Sequence, residues 1–257
     1  MAREGYSLAL GHGIRDHTPS RLPFEEFQAV LDDYDDPTVF VQVGLSHVNA
    51  AFGERSYERL YGELMRQFDS VLTPGFTPSF RESGVYHRQY SRPQVGTFPI
   101  LFMNDADYRT ADALHSIQVS GPYRFDGCDH QDTFGPEGCW DQLDRDNVLF
   151  ANIGTNRLVV TQEHYVSFRA DPPYHEAETH SGIVYHDGER HEEIEQRNDT
   201  FTSLYSWNRP KLENYLDRRG VLDRRDRNGL KLSFVRARDL REALEPKIEE
   251  DPYFMVA

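Results

Sequence analysis

The chain has 257 residues, enough for one large domain with a core of its own. Hydrophobic residues make up 38% and aromatics 12%, which argues against a disordered chain. The net charge of −15 argues against nucleic acid as a partner, because phosphate neutralisation needs a basic surface; a cationic small molecule fits better.

No apolar run approaches the ~18 residues of a membrane span. Met1-Ala2-Arg3-Glu4-Gly5 lacks the apolar stretch of a signal peptide. A cytoplasmic location without membrane contact is therefore expected. Cys128 and Cys139 share one loop-rich segment and could pair; in that compartment two free thiols are the expectation.

Residues 1–23 are polar, broken by Gly and Pro, and read as an N-terminal arm. The rest, 24–257, shows no repeat and no linker and reads as a single domain. A short helix fits Phe24 to Leu31, with Glu25 and Glu26 in its first turn. Thr38 to Leu45 is β-branched and apolar, a buried strand. Tyr57, Leu60, Tyr61, Leu64, Met65 and Phe68 step by three and four, an amphipathic helix. Ser70 to Thr73 is the next strand, closed by Pro74-Gly75. This unit predicts a layered α/β domain. Residues 73–97 are rich in Gly, Pro, Ser and Tyr and read as a functional loop. His115 to Gly121 and Asn147 to Gly154 are further strands, and Arg157 to Tyr165 a turn with a short helix. Gly182 to Tyr185, with the turn at His186 to Glu189, suggests a hairpin inside an otherwise solvated acidic loop. Helices at Pro210 to Arg219 and Ala237 to Glu250 end the chain.

Three segments have the composition of a site. Gly44-Leu45-Ser46 follows the first strand, where a small residue lets backbone N–H groups approach an anion; a plain strand-to-helix turn reads the same way. Arg109 to Ser116 brings Arg, His115 and Ser116 together, which suits phosphate or pantetheine and equally an ordinary strand start. Thr161-Gln162-Glu163-His164 sets a His beside a Thr hydroxyl, which suits a general base; a lone His is also common as a structural residue. The histidines at 175, 180, 186 and 191 do not have the i,i+4 spacing of a zinc helix, so no metal is expected. Glycine-rich phosphate loops and the G-x-S-x-G elbow are absent.

Taken in order, these segments resemble the aminoglycoside 3-N-acetyltransferase family, from about residue 38 onward. Leu72 to Thr77 is similar to its MPTFT segment, and Tyr90 to Gly96 to its proline-containing turn ending in Val-Gly. Arg109 to Ser116 resembles its stretch from an Arg to a His-Ser pair, Thr133-Phe134-Gly135 its Phe-Gly loop, and Thr161 to Val166 its Thr-x-x-His-Tyr segment. Pro173-Tyr174-His175 followed by Gly182, and the acidic tail at 249–252, also match.

The resemblance implies a layered α/β/α fold around a mixed central sheet, with acetyl-CoA or another acyl-CoA as co-substrate. It implies an N-acyltransferase that moves the acyl group to an amine of a small molecule, such as an aminoglycoside, an amino sugar or a natural-product intermediate, in a monomer or homodimer. Carried over, His164 is the general base and Thr161 an oxyanion or thiolate contact. Gly44, Leu45, Ser46, Arg109, His115 and Ser116 face coenzyme A. The chain departs from the pattern at Ser167, where the family has a Glu that orients the His, and at Gln42, where it has a His. Those departures keep a second reading open: a fold-mate that binds ligand or partner without acyl transfer, or that uses another donor. Asp129, Asp171 and Glu176 are the carboxylates that could stand in for the missing Glu.

Overall fold

The computed structural model describes residues 18–202 and 204–257. Most of the expected arm, 1–17, lies outside the described residues. Its last part is docked: Leu22 is buried and donates its N–H to the Ala51 carbonyl, and Ser20 does the same to Asn228.

Helix α1 (Phe24–Leu31) starts after Pro23 and buries Phe27, Val30 and Leu31. Strand β1 (Thr38–Val43) follows. The strand expected to reach Leu45 stops two residues earlier, and α2 (Leu45–Phe52) begins at once. Gly44 makes this possible. A Cβ there would overlap the Gly154 carbonyl, and Gly154 itself sits at φ +71°, so two glycines pass back to back where two strands end. Helix α3 (Ser56–Gln67) buries Leu60 and Leu64. Strand β2 (Ser70–Pro74) is buried throughout. The expected loop over 73–97 contains a short helix, α4 (Phe80–Ser83), and a strand, β3 (Val85–His87), before α5 (Thr97–Phe102).

Two antiparallel strands come next, β4 (Tyr108–Arg109) and β5 (Ile117–Ser120). They are followed by α6 (Cys139–Arg145), β6 (Leu149–Ile153) and α7 (Gln162–Arg169). The His-rich segment is not a solvated loop. It forms a long hairpin, β7 (His175–Tyr185) and β8 (His191–Phe201), paired over eleven positions from Tyr185 against His191 to His175 against Phe201. Helix α8 (Arg209–Arg218), strands β9 (Asp223–Arg227) and β10 (Leu230–Arg236), and α9 (Ala237–Glu250) complete the chain.

Seven strands form one mixed sheet in the order β4-β5-β2-β1-β6-β10-β9. β2, β1 and β6 are parallel; β5 and β10 run against them, and the edge strands β4 and β9 pair antiparallel to β5 and β10. Side chains alternate across β1, as they must in a strand. Val39 and Val41 pack with Val30, Val48 and Leu60 of α1 to α3 on one face. Phe40 packs with Trp140, Val166 and Leu244 of α6, α7 and α9 on the other. The result is the expected α/β/α sandwich around a mixed sheet. A second sheet, β3-β7-β8, covers one end.

The expectation of two free thiols needs correction: Cys128 and Cys139 are joined in a disulfide. The loop between them turns back through a bridge of Asp129 to Gly138 and brings the two Cα atoms to 5.3 Å, within disulfide reach. Among the described residues no helix is long and apolar enough to cross a membrane.

Candidate active site

The sheet has its topological switch at β1. The chain crosses to β2 on one side, while β6 lies on the other. In open α/β sheets this arrangement leaves a crevice beyond the carboxyl ends of the strands. Gly44, Leu45 and Ser46 stand there, where α2 begins. Gly44 supplies no capping side chain, and the first N–H groups of a helix have no intrahelical partner. Ser46 is exposed; Gly44 and Leu45 are half-buried. Asn152 of β6 pairs in register with Gln42. Its Oδ1 accepts from the Val159 N–H at 2.7 Å and pins the loop leading to α7, while its Nδ2 is buried with no partner among the described residues.

Thr161 precedes α7, and its hydroxyl accepts from Gln42 Nε2 at 3.4 Å. The structure therefore brings the end of β1 and the start of α7 together. His164, in the first turn of α7, projects into an aromatic cage. Phe134 and Phe201 lie nearly parallel to its ring at 5.7 and 5.6 Å, and Trp207 meets it edge-on at 5.0 Å. Phe134 also touches the His115 ring at 5.2 Å, and Phe76 closes on His115 at 4.9 Å. One phenyl ring thus contacts both candidate histidines. Nδ1 of His115 is buried without a partner.

Burial pushes His164 down to about 3, aided by the charge of Arg209 and by His175. Burial also holds His115 well below its ordinary value, with His164 adding to the effect. Both rings are neutral at pH 7, the form that accepts a proton. Glu163 faces away from His164, as the helical phase requires, and pairs with Arg209 at 2.6 Å. Burial raises Glu163 to about 7 while Arg209 opposes it. The Arg209 guanidinium also covers the Trp207 ring at 5.8 Å, so this ion pair supports one wall of the cage.

Ser167 is fully buried. Its hydroxyl lies 3.3 Å from Tyr174 Oη and 3.4 Å from His175 Nε2, not on His164. Among the described residues no carboxylate acts on the His164 imidazole, Asp129, Asp171 and Glu176 included.

Arg109 and Ser116 are buried and occupied with the fold. The Arg109 guanidinium donates to Ser116 Oγ at 3.0 Å and to the carbonyls of Gly75 and Ser91, and it stacks on Tyr86 at 5.0 Å. Ser116 Oγ donates to the Gly75 carbonyl at 2.8 Å. Together they tie the segment after β2 to β4 and β5. Asp112 fixes the turn before His115 by accepting the N–H groups of Leu114 and His115 at 2.9 and 2.6 Å. Two cavities, of about 320 and 310 Å³, lie at opposite edges of the sheet, one against β9 and β10 and one against β4 and β5, and neither is lined by His164 or His115.

Sequence reasoning missed the cage. Phe201, Trp207 and Arg209 come from segments that carried no site signal; Phe134 was visible only as part of the Phe-Gly loop.

The fold is that of the aminoglycoside 3-N-acetyltransferases. The chain is similar to the YokD protein from Bacillus subtilis, with 12% identity, a TM-score of 0.73, and 91% of this chain and 95% of that one covered. It is similar to AAC-IIIb, whose structure is binary with CoASH, at 14% identity and a TM-score of 0.70 over 90% and 97% of the two chains. A mutant of aminoglycoside acetyltransferase AAC(3)-IVa in complex with gentamicin superposes at 13% identity and a TM-score of 0.70, over 95% and 93%. No family model matches the chain, and no curated protein does.

Proposed function

We propose that this protein is an acyl-CoA-dependent N-acyltransferase acting on a small-molecule amine. The observation that carries the reading is the position of His164: a neutral imidazole without a carboxylate partner, one short loop away from the carboxyl ends of β1 and β6. The fold supports it, since structures that share it hold CoASH or gentamicin.

In this reading the diphosphate of the donor lies against the uncapped start of α2 at Gly44, Leu45 and Ser46, where the helix dipole favours negative charge. His115 lines the path of the pantetheine arm, and Arg109 and Ser116 hold that wall in place. The amine nitrogen attacks the thioester carbonyl. A C–N bond forms, the C–S bond breaks, and His164 takes the proton released by nitrogen and passes it to the departing thiolate. The Thr161 hydroxyl donates to the oxyanion or to the thiolate.

A base held near 3 accepts a proton poorly from an ordinary ammonium group. Transfer is less unfavourable once the nitrogen is bonded to the carbonyl carbon, because the adduct nitrogen is far more acidic than the free ammonium. The acceptor must therefore arrive as free amine, which favours an amine of low basicity.

The test is a thermal-shift titration with acetyl-CoA, CoA and ATP, followed by thiol release across a panel of amines. A donor at 100 times its dissociation constant adds about 2.7 kcal/mol of stability. A shift with acetyl-CoA and CoA but not ATP, with amine-dependent thiol release abolished by His164→Ala, is expected. A shift with no thiol release would favour the second reading, a ligand-binding fold-mate, for which Ser167 is the specific observation. No shift at all would overturn the acyl-CoA reading and leave the fold-mate that binds another ligand or uses another donor.

A further inference from the structure

We propose that Cys128, His130 and Cys139, when the two sulfurs are thiols, form a zinc site that clips the loop carrying Phe134. The donor atoms of these three residues lie within 4.8 Å of one another. His130 Nδ1 is 3.1 Å from Cys139 Sγ and 3.8 Å from Cys128 Sγ. Zinc bonds of about 2.3 Å to sulfur and 2.0–2.1 Å to nitrogen, at a tetrahedral angle, set neighbouring N and S donors about 3.6 Å apart. The imidazole thus already stands at ligand spacing from both sulfurs. Two thiolates and one imidazole are a donor set that selects zinc over hard cations. Both cysteines are buried, and the fourth position is left to water.

The loop holds this geometry by contacts other than the sulfur bond. The Asp129 N–H donates to the Glu137 carbonyl at 2.8 Å. The Arg197 N–H of β8 donates to Gln131 at 2.6 Å, and the Thr133 N–H donates back to Arg197 at 3.1 Å. The ligands therefore stay near one another after reduction. Arg88, Asp129, His186 and Glu192 are the charged or titratable groups that face His130. Two thiolates and one Zn²⁺ sum to zero charge, so the nearby Arg88 does not oppose binding.

Metal and disulfide are alternatives, because they use the same sulfurs. A cellular dithiol supplies two electrons and two protons, the S–S bond breaks, and the dithiol becomes a disulfide. Zinc then displaces both thiol protons to solvent. Either link closes the loop whose Phe134 contacts His115 and His164. With neither link the loop keeps only its backbone bonds, the Gln196–Thr133 hydrogen bond, the Arg197–Asp132 ion pair and the packing of Phe134.

The experiment uses the full chain, reduced with a non-chelating phosphine and titrated anaerobically with Co²⁺, then with Zn²⁺. The expected result is one equivalent of tetrahedral cobalt with a sulfur-to-cobalt charge-transfer band, displaced by zinc and absent in the oxidised protein. Cys128→Ser and His130→Ala should each weaken binding at least tenfold. Trp140 fluorescence should change on binding, since its ring lies 5.9 Å from Phe134. No cobalt uptake by the reduced wild-type protein, uptake without the sulfur band, or equal uptake by the oxidised protein would overturn the proposal. The wild-type titration decides the matter even where a variant does not fold.

Discussion

The rings of His164 and Phe134 stack with their planes 13° apart, and the same phenyl ring packs on His115. Phe134 thereby sets the distance between the two candidate histidines. Its replacement tests whether that distance matters. Phe134→Leu keeps an apolar side chain in the buried position but loses the flat surface on which His164 stacks and the tilted ring contact to His115. Turnover, followed by thiol release, should fall more than tenfold while the melting midpoint drops only modestly. Phe134→Ala should cost about 3–5 kcal/mol of stability, as deletion of a buried Phe does. Full turnover in Phe134→Leu would show that the stack has no catalytic role.

The pH–rate profile should not carry the signature of His164. Burial holds that imidazole near 3, so it is neutral across the working range. The rise of kcat/KM with pH should instead follow the free-amine fraction of the acceptor. Two acceptors whose amines differ by two pKa units should therefore give profiles displaced by about two units. Profiles that coincide, with a midpoint near 6.5, would mean that His164 titrates normally and the cage does not desolvate it.

Ser167 stands three residues after His164, yet its hydroxyl meets Tyr174 and His175. Ser167→Ala should cost about 1 kcal/mol, the worth of a lost buried hydrogen bond. Turnover should change by no more than a few-fold. A loss of a hundredfold or more would place the hydroxyl in the proton relay of His164.

Elements with apolar periodicity were legible in the sequence. β1, β2 and β6 are short apolar runs, and α1 and α9 match the expected spans residue for residue. The elements that escaped lack that pattern for physical reasons. The inner face of β8 is Ile194, Gln196 and Asn198; Gln196 spends its amide on Thr133 and on the Ala113 N–H, so a buried strand face reads as polar. β9 is the edge strand Asp-Arg-Arg-Asp-Arg, buried on neither side. α2 was hidden because its start depends on Gly44 meeting Gly154, more than a hundred residues away. The site divides in the same way. Thr161, His164 and the α2 start sit in local patterns, whereas the cage of Phe134, Phe201 and Trp207 exists only in three dimensions.

The buried neutral histidines should each cost stability in acid. His115, His164 and His175 all have folded-state values below 6.5, with His175 near 4. Between those values and 6.5 the unfolded chain binds more protons than the folded one, so stability is fully present above 6.5 and is lost as pH falls toward 4. At about 1.4 kcal/mol per unit a fully desolvated imidazole would contribute about 3 kcal/mol across that window; His175 is only partly buried, and solvent screening reduces its share to on the order of 1 kcal/mol. Asp112 and Glu163, raised to about 6 and about 7, act in the opposite sense, since their folded forms hold protons longer. His87 and His130 are lowered as well, and Asp132, Asp144 and Asp199 are raised, so the histidine contribution is isolated by substitution and not by the net slope. His175→Phe keeps a ring against Phe168 and should flatten the dependence of melting midpoint on pH between 4 and 6.5. An unchanged slope would show that His175 is solvated.

Arg109 separates two roles that the sequence left open, donor contact and structural tie. Its guanidinium reaches Ser116, Gly75 and Ser91 at once, a fork that an ammonium group cannot reproduce. Arg109→Lys takes the donor from the Ser91 carbonyl, at about 1–3 kcal/mol, and leaves the Gly75 carbonyl with the Ser116 hydroxyl alone. If Arg109 is a structural tie, the melting midpoint should fall by several degrees in the protein without any ligand, and the affinity for CoA should change less than tenfold in the fraction that remains folded. If Arg109 instead grips the donor phosphate, the free protein should melt unchanged while CoA affinity drops a hundredfold. Since the same side chain holds the wall that carries His115, a pure donor role would also require His115 to keep its position when the tie is cut. Loss of the edge contact between Phe76 and His115 in Arg109→Lys, read from the imidazole resonances, would confirm the tie directly.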